Sequence, residues 1–343
     1  VRQLLSPKTL FIRIAAAAVL LLLVMLACAL IGSVPISLKT ALIGASQSGQ
    51  ANPDYEILVR IRVPRVILAM IVGAALAAAG VTLQALLRNP LADPYILGVS
   101  SGAGLGAMLA VICGFQWTLW GRSPIAVFAF AGALGTVWLV WSIGRITGRF
   151  HVTGLLLAGV VVNAFFSSII MFLVSIARSD QIHATMFWLM GNMAEEDFWV
   201  LWLGAGGVAA GVLALYFLGP QLNAISFHPT DARSMGVHVE RVQFAALAVS
   251  AFITAVAVSL SGLVGFVGLV VPHGVRLVLG PDHRQLLPVS ALCGAAFLVV
   301  ADTIARVIVA PAQLPVGVVT AIIGGPFFLA LLIRYNRKVA WLR

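Results

Sequence analysis

Arg62-Val-Pro-Arg65, an apolar run, Gln84, then Arg88-Asn-Pro-Leu-Ala-Asp-Pro94 and Leu97-Gly98 form the stretch that decides the fold. It reads as a lipid-soluble helix entered at an arginine-proline-arginine knot and left at a loop bracketed by two prolines. A second helix follows at once. Asn89 precedes Pro90 and is pushed out of helical geometry, which ends the first helix. Asp93 is placed to cap the next one, with Pro94 in its first turn, where a missing N–H costs nothing. Gly73, Ala77, Gly80 and Gln84 recur at three- or four-residue spacing, as do Gly98, Gly102 and Gly106. In lipid, helices gain little hydrophobic free energy by meeting, so close backbone approach and interhelical hydrogen bonds must supply the attraction. Gln84 is expected to make one such bond, typically ~0.6 kcal/mol.

The rest of the chain has the same character. It is 61% hydrophobic and 9% charged, with a mean hydropathy of +1.07. Soluble domains have shares nearer ~45–50% and ~25%, so a soluble globule is excluded. Apolar runs of about 20 residues recur, each long enough to cross a ~30 Å hydrocarbon core. They are continuous rather than alternating, which selects helices over a barrel. The expected fold is an all-α integral membrane protein, one domain over residues 1–343. Its ten spans centre near 22, 75, 104, 134, 164, 208, 252, 271, 298 and 325. The span near 271 is short and interrupted by Gly262, Gly265, Gly268 and Pro272. The run from Ile14 to Ile31 is too long for a signal-peptide core and is kept as an anchor. Cys28, Cys113 and Cys293 all lie in apolar segments, and their odd number argues against a disulfide scaffold or a thiolate metal site.

Charge placement sets the expected topology. With the amino terminus inside, segments 1–13, 88–94, 145–151, 219–241, 276–285 and 334–343 hold 14 of the 21 basic residues but 4 of the 11 acids. Basic residues thus concentrate on the cytoplasmic side, where both termini fall. The +10 net charge therefore lines a membrane face and is not a nucleic-acid surface. Lys39, Arg60, Arg62, Arg65, Arg122, Arg178 and Arg306 remain outside. Arg60, Arg62 and Arg65 cluster at the outer mouth of the second span, and Arg306 sits at the outer end of the ninth. Two readings stand: interfacial snorkelling with Asp302 pairing Arg306 one turn away, or a basic collar that captures an acidic docking surface.

Several chemistries are missing. Lys8, Lys39 and Lys338 are the only lysines and none follows glycine, so there is no Gly-Lys-Ser/Thr phosphate loop. Histidines and acids are too scattered for a metal or hydrolase site, and the nearest pair, His273 and Arg276, reads as capping or headgroup contact. An ion-driven carrier needs carboxylates deep in its spans, and only Asp302 comes close. An ion-coupled secondary transporter stands as the alternative class, but the residues describe a conduit without an engine.

Three blocks carry a family likeness. They are Arg62–Gly102; Gly262-Leu-Val-Gly-Phe-Val-Gly-Leu-Val-Val-Pro-His273 with Arg276, Asp282-His-Arg284, Pro288, Asp302 and Arg306; and Leu314-Pro-Val-Gly-Val-Val-Thr-Ala321 with Gly324 and Pro326. Trp188-Leu-Met-Gly191 is a weaker fourth. In these the chain resembles the FecCD-type permeases, the transmembrane subunits of type II ABC importers for haem, ferric siderophores and cobalamin. Two positions depart: Gln313 stands where the family often has glutamate, and Asn192 where serine is common.

The resemblance implies a homodimer in the bacterial inner membrane with a central translocation path. It implies an ATP-binding cassette ATPase dimer inside, carrying ATP and Mg, and a periplasmic substrate-binding protein outside. The chain itself then holds no catalytic residue, metal or cofactor. Arg62, Arg65 and Arg306 match the docking arginines. The inner segment from His228 to His238 matches the coupling helix, with Thr230, Asp231, Arg233, Met235, Gly236 and Val237 facing the ATPase. Met235 and Val237 are apolar in a cytoplasmic loop, as a partner surface requires. The path and its gate fall on Val152, Thr153, Asn163, Phe165, Phe166, Ser167 and Ser168, an uncharged, mildly polar wall past which a bulky chelate can slide. Haem is the favoured cargo, with ferric siderophore or cobalamin as alternatives.

Overall fold

A computed structural model describes residues 6–43, 52–115, 123–145, 152–193, 198–227 and 229–340. Among them there is no strand. The helices are α1 (Pro7–Leu30), α2 (Leu38–Ile43), α3 (Pro53–Tyr55), a π-helical segment (Glu56–Arg62) and α4 (Val63–Leu86). A 3-10 turn (Pro94–Leu97) leads into α5 (Val99–Ile112), then α6 (Pro124–Arg145), α7 (Val152–Ile176), α8 (Ser179–Leu189) and α9 (Phe198–Phe217). The chain continues through α10 (Gly219–Phe227), α11 (Pro229–Ser234), α12 (Val239–Ser261), α13 (Val267–Leu279), α14 (His283–Val307) and α15 (Val316–Ala340).

Among the described residues, seven helices are long and apolar enough to cross a membrane, with α3, the π segment and α4 counted as one 34-residue span. The other three predicted spans coincide with the shorter apolar helices Val99–Ile112, Val267–Leu279 and Val316–Ala330. At 1.5 Å per residue, α5 rises only about 21 Å, less than the hydrocarbon thickness. The chain is thus an all-α, multi-spanning membrane protein.

The axis of the bundle is α4. Its most apolar window is 83% buried, against 11% for α1 and 17% for α7. Glycine makes this packing possible. A Cβ on Gly73 would run into the Gly294 carbonyl of α14, and one on Gly294 into Ala77. A Cβ on Gly80 would strike the Gly268 carbonyl of α13, and Gly102 and Gly106 bring α5 equally close to Gly132 and Phe128 of α6. The small-residue spacing thus marks the contact faces it predicts. Gln84, 1% exposed, points its Nε2 at the carbonyls of Ala92, Gly268 and Leu269 at 3.4–3.5 Å, tying α4 to the following turn and to α13.

The proline-bracketed turn differs from expectation in one respect. Asp93 accepts the Tyr95 N–H at 2.9 Å, but what it caps is the 3-10 turn, not α5. Gly98, at φ 77°, then reverses the chain before α5 begins. The extra turn carries Tyr95 beneath α13. There its hydroxyl donates to the Val264 carbonyl at 3.1 Å and accepts the Val264 N–H at 3.0 Å.

Candidate functional site

Three regions hold the residues singled out in the sequence. The first lies where the π segment meets α4. Pro64 has no N–H to give the helix, and the preceding turns are widened, with the Val63 N–H reaching back to Leu58. The guanidinium of Arg62 thereby reaches the end of α1, donating to Leu30 O at 2.7 Å and Ala29 O at 3.3 Å in its last turn and to Val34 O just beyond it. These carbonyls have no partner within α1, so Arg62 caps a helix other than its own. One turn on, Arg65 Nε bonds both oxygens of Asp302 at 3.0 and 3.2 Å, and its Nη1 donates to Gln313 Oε1 at 2.7 Å. Arg306 Nε bonds the same carboxylate at 3.0 Å, while its Nη2 donates to Thr303.

All three predicted arginines therefore converge, and Asp302 pairs with two of them rather than with Arg306 alone. Three guanidiniums against one carboxylate leave the node doubly positive, and Gln313, the departure from the family pattern, sits inside it as a neutral partner of Arg65. The node is not an open collar. Arg62 is 3% exposed, Arg65 9%, Arg306 7% and Asp302 1%. At the rim, Arg60 is exposed and paired with Glu56 at 2.9 Å. Arg122 lies outside the described residues.

The second region is α7. Val152 and Thr153 open this helix, and their side chains lie outside the described residues. Asn163, Phe165 and Ser168 are exposed, while Phe166 and Ser167 are half-buried. Ser168 satisfies its hydroxyl on the Ala164 carbonyl at 2.9 Å, and the Phe165 and Phe166 rings lie 5.9 Å apart. Asn163 has no hydrogen-bond partner among the described residues. The bare face of α1 is apolar throughout from Phe11 to Leu30, as lipid contact requires. A free amide on an otherwise apolar face, unlike α1, suits contact with water or with another polar surface.

Beside the turn on which α7 packs is a cleft of about 520 Å³, lined by Tyr95, Met190, Leu263, Gly317 and Ile322 among others. Two glycines with positive φ shape it, Gly191 at 82° and Gly262 at 67°. The strands of loop are joined by Asn192 N–H to Ser261 O at 2.8 Å and Val316 N–H to Gly191 O at 3.0 Å. Helix α8 and this cleft were not anticipated, although the Trp188–Gly191 and Gly262–Phe266 motifs that build it stand out in the sequence.

The third region is the polar segment between α9 and α12, which holds α10 and then α11, the short helix expected ahead of Gly236; His228 lies outside the described residues. Thr230, Asp231, Arg233 and Met235 are exposed, and Gly236 takes φ 82° with open space around it. Val237 corrects an expectation. It is half-buried against Ile225, Ala232 and Val239, so it anchors α11 instead of facing outward. The bare apolar groups are Met235, 76% exposed, and Phe227, 77% exposed, which sequence reasoning missed. Nearby, Asp282 caps α14. Burial pushes its carboxyl up, but hydrogen bonds from Arg284 and Asn223 outweigh that and bring it down to about 2. Among the described residues no group of three His, Cys, Asp or Glu is placed to hold a metal.

A buried axial helix, a bare helix carrying a free amide and an exposed polar segment define a polytopic helical membrane protein. Residues 20–334 match the FecCD transport family, and the chain belongs to that family of ABC-transporter permeases, multi-pass proteins of the inner membrane. Such a chain serves transport and not catalysis. It is 40% identical to the cobalamin import system permease protein BtuC of Halobacterium salinarum, over 93% of this chain and 95% of that one. It is 37% identical to the hemin transport system permease protein HmuU of Yersinia pestis, with the same coverage of 93% and 95%. Among solved structures it is similar to a metal-chelate type ABC transporter in an inward-facing conformation, with a TM-score of 0.81 and 29% identity over 96% of this chain and 100% of that one.

Proposed function

We propose that this chain is the permease subunit of a type II ABC importer for a metal chelate. Two copies enclose the path, a periplasmic binding protein delivers the cargo, and a separate ATPase pair seated on α10 and α11 drives it. The observation that carries this reading is the 40% identity to a cobalamin permease over 95% of its length, set on a chain with no phosphate loop of its own. The free Asn163 amide on α7 supports a second copy or a water-filled path against that face. Ten spans with both termini inside accord with the positive-inside count. An ion-coupled mechanism gains no support, because Asp302, the carboxylate singled out in the sequence, is occupied by two arginines.

For the cargo, the relatives favour cobalamin or a ferric siderophore over the haem preferred from sequence. Of the two relatives named above, the cobalamin protein is the more similar, at 40% against 37% identity, and others are iron-chelatin and vitamin B12 permeases. The binding protein, if it reads the Arg62–Arg65–Arg306 node, does so mainly through the field of its two excess charges, since the guanidiniums are already engaged. Uptake by the reconstituted permease, ATPase and binding protein tests the cargo. Labelled cobalamin or ferric siderophore is expected to accumulate with ATP, and uptake of haemin alone would overturn the assignment.

A further inference from the structure

The segment proposed to meet the ATPase packs Leu222 into the core of the bundle and is hydrogen-bonded to α14 through one side chain. Asn223, on α10, uses its whole amide. Its Nδ2 donates to Asp282 Oδ1 at 2.8 Å, and its Oδ1 accepts the His283 N–H at 2.8 Å and meets His283 Nδ1 at 2.6 Å. Because that oxygen can only accept, Nδ1 carries the hydrogen in the last contact. Asp282 and His283 are the cap and first residue of α14. From there α14 continues to Asp302, about 28 Å away, and Arg306, about 34 Å away, at 1.5 Å per residue. Pro288 removes one rung of the α14 ladder near the joint, but beyond it the helix is pressed against α4 at Gly73 and Gly294, where no Cβ would fit, which leaves that part little slack to absorb a push.

Beside the joint, three buried atoms have no partner: Nε and Nη2 of Arg276 and Nε2 of His283. Unpaired buried polar atoms are costly, and a different setting of α13 against α14 that pairs them is a natural second state. The Asn223 joint stays closed in both settings, so the turn and α14 move with α10 while α13 resets, and such a two-state element is what energetic coupling between distant sites requires.

We propose that Asn223 is the positioning residue that passes the stroke of the ATPase to α14, making the coupling segment and the Arg65–Asp302–Arg306 node two ends of one rod. The inference rests on the importer reading above and adds the route within the chain. It is tested with the complete complex of permease, ATPase and binding protein in liposomes. Asn223→Ala is expected to hydrolyse ATP within twofold of the wild type, to move at least tenfold less cargo per ATP, and to lose stimulation by the binding protein. Asn223→Asp, which sets a second carboxylate against Asp282, is expected to behave alike. Adding Asp282→Asn to it exchanges amide and carboxylate and is expected to restore coupling, a rescue that simple loss of packing does not produce.

Wild-type coupling in Asn223→Ala, or failure of the exchange to restore it, overturns the proposal. If the variants do not assemble, the intact joint decides. Spin labels at Phe227→Cys and Pro281→Cys, in a background lacking Cys28, Cys113 and Cys293, are expected to keep one separation with and without ATP; a nucleotide-dependent separation overturns the proposal. A wild-type complex that moves nothing with ATP defeats the importer reading instead.

Discussion

Asp302→Asn removes the one negative charge that two buried guanidiniums share. In the wild type, Arg65 bonds both carboxylate oxygens and Arg306 bonds one, and the arginine side chains are only 10% and 8% exposed. Neither can turn to water without parting α4 from α14. Removing one partner of a buried pair costs about 3–5 kcal/mol, since a charge is left uncompensated in a poorly solvated place. The asparagine oxygen still accepts one bond, which sets the expected loss near the lower bound, about 3 kcal/mol or roughly a hundredfold in the folding equilibrium. The assay is reversible unfolding in mixed micelles. The comparison is Arg65→Met/Asp302→Leu/Arg306→Met, which removes the charges together. Well-packed apolar replacements of a buried ionic group are often neutral or better, so the triple variant is expected to recover most of the loss. The reasoning is refuted if Asp302→Asn lies within about 0.5 kcal/mol of the wild type, the range of an ordinary surface change, or if the triple variant is the less stable of the two.

Other outcomes follow from the same geometry. Gly80→Val is expected to abolish the folded species in size-exclusion profiles, because its side chain must enter the Gly268 carbonyl, whereas Gly206→Ala, which meets nothing within 4 Å, is expected to leave the profile unchanged. At Gly236, φ is 82° and space is open, so Gly236→Asn is expected to be tolerated better than Gly236→Val, and Gly236→Trp is expected to uncouple hydrolysis from uptake in the complex. Burial pushes the Asp93 carboxyl up to about 6, against the pull of its bond from Tyr95 N–H. The folded chain therefore holds this proton more tightly than the unfolded chain. Its contribution to stability is full below about pH 4 and is lost as pH rises through about 6. Asp93→Asn is expected to flatten that decline in unfolding midpoints measured between pH 4 and 7.

What could be read from sequence was what depends on local period. The glycine spacing of Gly73, Gly80, Gly102 and Gly106 named the contact faces, and each predicted span has its helix, because apolar runs declare themselves. What escaped depends on contacts distant in the chain. Nothing near Arg62 says that it caps α1, about 30 residues earlier, nor that Asp302 is shared with Arg65. Helix α8 is short and buries little, so it leaves no hydropathy signal. Phe227 escaped because it ends α10, ahead of the polar stretch, and Val237 is half-buried because it packs on Ile225, Ala232 and Val239. The left-handed Phe266, φ 69°, ahead of α13 has no sequence signature of the kind glycine gives.

The central claim is that this chain is a passive gateway driven from its inner face by another molecule. Cargo uptake into proteoliposomes, with and without the partner ATPase and with ion gradients collapsed, tests it most directly. Uptake is expected to need both the partner and ATP and to be indifferent to ionophores; uphill accumulation by the purified chain alone, abolished by ionophores, would show that it carries its own drive.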